Sequence, residues 1–268
     1  MKINIFFSIA TKPGKFGSII YNGIYKYYKI NNIYIPLKIE KLIDFFQILN
    51  VVSVKGFSVS MPFKETIIKH LDFLDPDAKK IGSVNTVKIV NGKLRGYNSD
   101  YKGFKKLIKE QNFKKKINIL ILGSGGVARS VIYAFKKIGL KNLYINSRNK
   151  IKSKKLKKEF NINLLDNLLD NNLYFDVIIN ATPIGMSPKI DQSPINFSMI
   201  NQKSVIFDFV ASPYKTKLIK YCLKNNIKNF NGLEITSYQF IEQFKIYNNF
   251  YPSLAELKRQ IKLFERSK

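Results

Sequence analysis

The sequence predicts an α/β protein of two domains, each built around a mainly parallel sheet. Three observations lead to this prediction. Segments with the pattern of strands alternate with segments with the pattern of helices, which favours parallel strands covered by helices. The alternation starts a second time at a glycine-rich turn near the middle of the chain. The length of 268 residues suits one large domain or two ordinary ones, and a hydrophobic content of 45% is typical of folded proteins.

The first half of the chain supplies the first series of elements. Strands are predicted for the segments KINIFFSIA, NIYIPLKI and VKGFSVSM, and helices for GSIIYNGIYKYY, KLIDFFQIL and KETIIKHLDFL. Two runs of alternating residues then flank Asn91-Gly92, the strongest short signal for a β-hairpin. The helical segment YKGFKKLIKEQ follows, and we place a domain boundary near residue 101.

The second half repeats the alternation. Strands are predicted for INILILG, NLYINS, FDVIINAT, SVIFDFVA and the short IKNFNG, and helices for GVARSVIYAFKKIG, KIKSKKLKKEF and YKTKLIKYCLKNN. Gly139 is expected to cap the first of these helices. Two final helices, EITSYQFIEQFKIYN and SLAELKRQIKLFE, are expected to pack back on the first domain. The predicted domains are therefore residues 1–100, 101–231 and a C-terminal helical segment, 232–268.

The chain is strongly basic, with a formal net charge of +28 and a pI near 9.9. Such a charge raises the possibility of a nucleic-acid partner. The lysines, however, are spread along the whole chain, and the densest cluster, Asn149 to Glu159, has helical spacing and contains no aromatic residue to stack on bases. We interpret that cluster as a solvated helix face and expect no nucleic-acid partner. A basic chain still attracts anionic small molecules.

Other classes of protein are disfavoured by the composition. No apolar run approaches the ~20 residues that a membrane span needs. The opening MKINIFFSIATK is interpreted as a first strand rather than a signal peptide. One cysteine, Cys222, cannot form an internal disulfide, which favours a reducing, cytoplasmic setting. One histidine, His70, without a cysteine cluster predicts no zinc site or other metal site.

The segment ILILGSGGVARSV contains Gly123-x-Gly125-x-x-Ala128 between a predicted strand and a predicted helix. This is the pattern of a dinucleotide-binding loop. Glycine permits the tight turn and the close approach of a pyrophosphate to the backbone, and the helix N-terminus offers N–H donors. The alternative is a glycine-rich turn that binds nothing. The loop predicts a Rossmann domain.

The end of the next strand distinguishes between the two nicotinamide cofactors. An acidic residue there would bind a ribose hydroxyl of NAD, but this chain reads INSRNKIKS. Arg148, with Lys150 and Lys152 close by, suits the 2′-phosphate of NADP, because a guanidinium holds a phosphate with a fork of donors. NADP is therefore favoured over NAD. The alternative is that Arg148 is one more cation in a basic chain.

Three polar residues of the first domain are candidates for chemistry: Lys64, Asn85 and Asp100. Each follows a predicted strand or lies in a short polar interruption, where side chains commonly converge on one edge of a sheet. A lysine and an aspartate can share the proton that must leave or join an oxygen during hydride transfer. The alternative is a lysine that begins a helix and an aspartate that caps one.

Six segments of the chain resemble shikimate dehydrogenases, in order and in spacing: SVSMPFKE, IGSVNT, GYNSD, LGSGGVARS, NATPIGM and NGLEITSYQ. The resemblance spans nearly the whole chain. It implies an N-terminal α/β substrate domain with a mainly parallel sheet and a Rossmann NADP-binding domain. It also implies NADPH-dependent reduction of 3-dehydroshikimate to shikimate, a step of chorismate biosynthesis.

The same resemblance implies a role for individual residues. Lys64 and Asp100 would be the catalytic acid–base pair. The residues expected to bind the substrate are Ser18, Ser60, Asn85 and Gln239. The residues expected to bind NADP are Gly123, Ser124, Gly125, Gly126, Val127, Ala128, Ser147, Arg148, Lys152, Thr182, Gly185, Met186 and Gly232.

The chain departs from the family where the substrate carboxylate is bound. The usual Ser-x-Ser-Pro becomes Lys15 and Gly17 followed by Ser18, an asparagine before the catalytic lysine becomes Ser58, and a tyrosine becomes Ala211. These departures resemble the divergent shikimate dehydrogenase-like subgroup, which has a similar RPxxFG start. A quinate/shikimate enzyme or a relative acting on a related hydroxy acid therefore stays open. So do a non-catalytic binding protein and a basic nucleic-acid-binding module.

Overall fold

The computed structural model describes residues 3–168 and 173–266, the side chain of the last excepted. The chain forms two compact units. One unit comprises the residues up to Ser99 together with those from Phe240 on, and the other comprises Asp100–Gln239. The domain boundaries inferred from the sequence stay predictions.

The elements are as follows. The strands are β1 (Asn4–Ala10), β2 (Asn32–Lys38), β3 (Val54–Val59), β4 (Phe73–Leu74), β5 (Thr86–Val90), β6 (Lys93–Tyr97), β7 (Ile119–Leu122), β8 (Leu143–Asn146), β9 (Asn163–Leu164), β10 (Val177–Asn180), β11 (Val205–Asp208) and β12 (Asn229–Phe230). The helices are α1 (Phe16–Tyr27), α2 (Leu42–Val51), α3 (Pro76–Ile81), α4 (Ser99–Lys109), α5 (Gly126–Lys137), α6 (Lys150–Phe160), α7 (Lys217–Lys224), α8 (Gly232–Asn248) and α9 (Leu254–Arg266).

The sheet of the first unit has the strand order β2-β1-β3-β5-β6-β4. Strands β2, β1 and β3 run parallel, whereas β5 and β6 form an antiparallel hairpin. Asn91 and Gly92 make the turn of this hairpin with φ angles of 51° and 74°, which suits a two-residue type I′ connection. The hairpin predicted at Asn91-Gly92 is thereby confirmed.

An aromatic layer covers one face of this sheet. The ring of Tyr21 in α1 stacks on Tyr34 of β2 at a centroid distance of 4.2 Å, and it contacts Phe240 and Phe244 of α8. All four side chains are buried. Because rings of this size bury much apolar surface, they hold α1 and the second half of α8 against the sheet.

The prediction of a helix over KETIIKHLDFL is wrong. That segment forms a short 3₁₀ helix, Thr66–His70, followed by strand β4. Asp72 forms two hydrogen bonds with Leu94. The Asp72 N–H donates to the Leu94 carbonyl at 3.0 Å, and the Asp72 carboxylate accepts from the Leu94 N–H at 2.8 Å. Pairing with the hairpin therefore outweighs the local helical pattern.

Helix α3 was missed by the sequence reading, although its signals are local. The carboxylate of Asp75 accepts from the N–H groups of Asp77 and Ala78, Pro76 occupies the first helical position, and Gly82 closes the helix with φ of 68°. These are the ordinary start and stop signals of a helix.

The sheet of the second unit has the order β12-β11-β10-β7-β8-β9, and its strands are parallel. This is the Rossmann arrangement, in which the chain order reverses between β7 and β10. Strands β7 and β10 are buried throughout, as their apolar sequences predict. Ligands of such sheets bind outside the carboxyl ends of the strands at the point of reversal.

Within the described ranges, no helix has the length and apolar character that a membrane crossing requires. The same residues contain no group of three or more acidic, histidine or cysteine side chains that could hold a metal ion.

Candidate functional site

Lys64 lies in a turn between β3 and the 3₁₀ helix, and its side chain is half-buried. The turn is held at both ends. The N–H of Ser60 donates to the Ile9 carbonyl at 3.0 Å, and the carbonyl of Lys64 accepts from the N–H of Val84 at 2.8 Å. Lys64 is therefore fixed beside the residue that precedes Asn85, and it does not begin a helix.

Asn85 is buried immediately before β5, and its side-chain oxygen accepts hydrogen bonds from several donors. The N–H of Ser99 donates to that oxygen at 2.7 Å, and the hydroxyls of Ser99 and Thr86 lie 3.1 and 3.0 Å from it. Ser99 is the first residue of α4, and Asp100 follows it. Asn85 therefore holds the point of the chain from which Asp100 extends.

A glutamine that the sequence reading missed supports this cluster. Gln243 of α8 is buried, and its amide nitrogen donates to the Thr86 hydroxyl at 2.8 Å. Its amide oxygen accepts from the hydroxyl of Tyr21 at 2.9 Å. The sequence contained one signal for this role: Gln243 is four residues after Gln239 and therefore lies on the same side of the helix.

The helix that carries Asp100 meets the helix that carries Gln239 at a glycine. A side chain built on Gly103 of α4 would overlap the backbone of Gln239 and would lie 2.5 Å from the carbonyl carbon of Tyr238. Helices α4 and α8 therefore touch backbone to backbone at this point. Because Asp100 is three residues before Gly103, it lies on the same face of α4. Both Asp100 and Gln239 are half-buried.

Ser18 lies in the first turn of α1, and its hydroxyl donates to the Lys15 carbonyl at 2.9 Å. Beside it, Gly17 packs against Tyr34, because a side chain on Gly17 would lie 3.3 Å from that ring. The hydroxyl of Tyr34 lies 2.6 Å from the hydroxyl of Ser58, and burial raises the pKa of Tyr34 to about 12. The buried Tyr34 hydroxyl therefore lies beside Gly17, one of the two positions where the resemblance expects a serine.

The glycine loop follows β7, and α5 begins at Gly126. Gly123 has φ of 113°, a conformation that favours glycine, and it packs against the Ala181 carbonyl after β10. Gly125 faces open space, since no atom lies within 4 Å of a side chain built there. Ser124, Gly126 and Val127 are half-buried, and Ala128 is buried in the first turn of α5.

A chain of hydroxyls links this loop to the end of β8. The hydroxyl of Ser147 lies 3.0 Å from that of Ser124 and 2.6 Å from that of Ser153 in α6. Arg148 and Lys152 are exposed on either side of Asn149, whose side chain caps α6 by accepting from the Lys152 N–H. The sequence reading identified Ser147 but missed Ser153.

The remaining cofactor candidates lie where β10 and β11 end. Thr182, Gly185 and Met186 belong to the loop after β10, and Gly185 has φ of 103°. Gly232 begins α8, and a side chain there would overlap the Val210 carbonyl oxygen two residues beyond β11.

The candidate residues are divided between the two units. Lys64, Ser18, Ser60 and Asn85 belong to the first unit. The second unit contains Asp100 and Gln239 and all the cofactor candidates.

The second unit fits a dinucleotide with a 2′-phosphate. The open space at Gly125 leaves room for a pyrophosphate beside the first N–H groups of α5, and those groups have no partner within a helix. The exposed cations Arg148 and Lys152 follow β8, where the adenosine ribose of such cofactors lies.

Two family descriptions match the chain. "Shikimate dehydrogenase substrate binding domain" matches residues 16–87, and "Shikimate / quinate 5-dehydrogenase" matches residues 106–217. Together the two matches span more than half of the chain.

Individual proteins are also similar. A shikimate dehydrogenase-like protein of Haemophilus influenzae is 33% identical over 97% of this chain and 96% of its own. The shikimate dehydrogenase (NADP(+)) of Aquifex aeolicus is 38% identical over 86% of this chain and 85% of its own. A crystal structure of a shikimate dehydrogenase in complex with NADP+ superimposes with a TM-score of 0.84, at 33% identity, over 97% of this chain and 95% of that one. The chain belongs to the shikimate dehydrogenase family.

Proposed function

We propose that the chain is an NADP-dependent shikimate dehydrogenase, an oxidoreductase that reversibly reduces 3-dehydroshikimate to shikimate in chorismate biosynthesis. The observation that carries the proposal is the hydrogen bond from the Val84 N–H to the Lys64 carbonyl, which holds the backbone of Lys64 beside the residue that precedes Asn85. A lysine ammonium and a buried amide at the ends of neighbouring strands suit a substrate with a carbonyl and several hydroxyls. The names of the curated relatives support the same reaction.

Each residue has a distinct chemical role in this reaction. A bound NADPH would supply the hydride that reduces the carbonyl of the substrate. The ammonium of Lys64 donates a hydrogen bond to the carbonyl oxygen, stabilises the negative charge that develops there and delivers the proton. The carboxylate of Asp100 orients that ammonium and shares the proton with it. In the oxidation of shikimate, the pair takes the proton from the hydroxyl.

The binding residues complete the proposal. Asn85, Ser60, Ser18 and Gln239 bind the polar groups of the substrate. The backbone from Gly123 to Ala128 binds the pyrophosphate of NADP, and Ser147, Arg148 and Lys152 bind its adenosine end. Thr182, Gly185, Met186 and Gly232 line the nicotinamide side.

The test is the appearance of reduced nicotinamide with purified protein, shikimate and either NADP or NAD. We expect strong turnover with shikimate and NADP and weak turnover with NAD. Binding of NADP without turnover of shikimate would contradict the proposed substrate. Salt-dependent binding to DNA with no dehydrogenase activity would contradict the enzyme class.

A second candidate, a dehydrogenase of a related hydroxy acid, is favoured by one observation. Gly17 and Lys15 replace the serines that bind the substrate carboxylate in the family, and the Ser18 hydroxyl is bonded to the Lys15 carbonyl. The similarity to the shikimate dehydrogenase-like protein supports this candidate too. Quinate in parallel with shikimate distinguishes the two, because the second candidate predicts a higher kcat/KM for the analogue.

A further inference from the structure

Asp208, the last residue of β11, is fully buried at the carboxyl edge of the second sheet. Its carboxylate accepts three hydrogen bonds. One oxygen accepts from the Asn180 amide at 2.8 Å and the Val210 N–H at 3.1 Å, and the other accepts from the Thr216 hydroxyl at 2.6 Å. A buried carboxylate requires such partners, and here each partner belongs to a different segment of the chain.

The first partner, Asn180, controls the loop after β10. Its amide oxygen accepts from the N–H and the hydroxyl of Thr182, at 3.1 and 2.7 Å. Its amide nitrogen also donates to the Ile184 carbonyl at 3.0 Å. The orientation of the Asn180 amide is set by Asp208, because only the amide nitrogen can donate to a carboxylate. The loop that carries Thr182, Gly185 and Met186 therefore depends on that carboxylate.

The second partner, Thr216, supports the same loop from the other side. Its hydroxyl accepts from the Ile219 N–H and so caps α7. Its methyl group lies 3.1 Å from the position that a side chain on Gly185 would occupy. With its hydroxyl held by Asp208, Thr216 presents this methyl group to the turn at Gly185.

The third partner, Val210, connects the carboxylate to α8. The Val210 N–H is bonded to Asp208, and the Val210 carbonyl packs against Gly232, where even a methyl group would not fit. The start of α8 is therefore placed against a backbone segment that Asp208 holds.

We propose that Asp208 is a positioning residue for the nicotinamide half of the NADP site. Its carboxylate is the common acceptor of three segments, of which one carries Thr182, Gly185 and Met186 and another packs against Gly232. None of its partners belongs to the glycine loop or to the Arg148 segment. The inference rests on the proposed use of NADP, and it extends that proposal to a residue that does not itself touch the cofactor.

Burial of the carboxylate is consistent with this role. Desolvation raises the pKa of Asp208, and the bonds from Thr216, Val210 and Asn180 oppose that rise. The pKa of the nearby Cys222 thiol is raised to about 12, by burial first and by the charge of Asp208 second.

The experiment compares two ligands on one variant, Asp208→Asn. Asparagine keeps the shape but places an amide N–H₂ where one of the two acceptor oxygens stood, so at least one of the bonds to Asp208 is lost. The ligands are NADP and adenosine 2′,5′-bisphosphate, which has the adenosine end and lacks the nicotinamide. We expect the Kd of NADP to rise about tenfold and the Kd of the bisphosphate to stay within about twofold.

A matched control uses the opposite end of the same sheet. Asp176 precedes β10, and its carboxylate accepts from the Asn118 N–H at 2.8 Å. Asp176→Asn also removes an acceptor for a backbone group, but far from the cofactor loops. We expect it to change neither Kd, whatever it does to the melting temperature.

A second pair of variants keeps the inference testable if Asp208→Asn does not fold. Thr216→Val removes the hydroxyl and keeps a methyl group, whereas Thr216→Ser keeps the hydroxyl. We expect Thr216→Val to weaken NADP selectively and Thr216→Ser to restore most of the affinity. Equal weakening of both ligands, or unchanged NADP affinity in Asp208→Asn and Thr216→Val, would overturn the proposal. No shikimate is present in these measurements, so a different substrate would leave their result intact.

Discussion

The N–H of Ser99 donates to the side-chain oxygen of Asn85 at 2.7 Å, and this bond joins the residue before β5 to the first residue of α4. The proposed substrate-binding amide is thus also a structural support. The residue after Ser99 is the proposed catalytic Asp100. Loss of Asn85 is therefore expected to affect both the fold and the chemistry.

We expect Asn85→Ala to lower the free energy of unfolding by about 2 kcal/mol, because the buried Ser99 N–H loses its acceptor. Urea unfolding measures this change. The exposed Asn142 offers a control, and Asn142→Ala is expected to change stability by less than about 0.5 kcal/mol. An unchanged unfolding midpoint for Asn85→Ala would show that another group takes over the bond.

Replacement of Lys64 tests the proposed acid. Lys64→Met keeps the length of the side chain and removes its charge, so we expect kcat to fall at least about a hundredfold with little change in melting temperature. Lys69→Met is the matched control, because Lys69 is exposed in the neighbouring 3₁₀ helix. Wild-type turnover by Lys64→Met would remove the lysine from the mechanism.

Arg148→Ala tests the choice between the two cofactors. Because only NADP has a 2′-phosphate, we expect its Kd to rise by about ten- to a hundredfold while that of NAD stays nearly constant. Lys154→Ala, on the exposed side of α6, is expected to affect neither. An equal loss for NADP and NAD would mean that Arg148 does not contact the 2′-phosphate.

Gly17→Ser tests the departure from the family at the carboxylate end of the substrate. The new side chain would lie 3.3 Å from the Tyr34 ring, which requires only a small shift. It restores a hydroxyl that the resemblance places near the carboxylate, so we expect a lower KM for shikimate. Gly14→Ser, where nothing lies within 4 Å, is the control. A KM that does not fall would favour a different acid as substrate.

Alanine substitutions at two glycines are expected to have different effects, one on stability and the other on cofactor binding. Gly103→Ala forces α4 and α8 apart at Gln239, so we expect a loss of about 1–3 kcal/mol in stability, although alanine favours helices. Gly125→Ala meets no atom of the protein, and its φ of −89° is ordinary. We expect it to keep its melting temperature and to bind NADP more weakly. Calorimetry measures the stability and titration measures the NADP affinity. An unchanged melting temperature for Gly103→Ala would contradict the close contact of α4 and α8, and unchanged NADP binding by Gly125→Ala would contradict the role of the loop.

Much of the fold was predictable because its signals are local. The apolar strand ILIL, the turn at Asn91-Gly92 and the cap at Gly139 each specify their structure within a few residues. Gly139 has φ of 86°, and the Leu140 N–H donates back to the Phe135 carbonyl, as expected of such a cap. The family resemblance supplied the site residues, which composition and spacing alone would have left as open alternatives.

The rest depended on partners that are distant in sequence. The segment around Asp72 has a helical sequence pattern but is extended in the structure, because Asp72 forms hydrogen bonds with Leu94 of β6. Gln243 reads as one more polar residue of a helix until the fold brings it to Thr86. Asp208 follows an apolar run, which in the sequence marks only the end of a strand. The three segments that donate hydrogen bonds to its carboxylate are brought together by the fold.

The first unit is assembled from two separate stretches of the chain, whereas the second is continuous. The ring of Tyr21 contacts Phe240 and Phe244, which the ribosome adds only after the whole second unit. Domains generally fold as units while the chain is synthesised. The second unit is thus fully synthesised before the first, although the first unit begins earlier in the sequence. The first unit therefore cannot complete its aromatic layer until α8 has been synthesised.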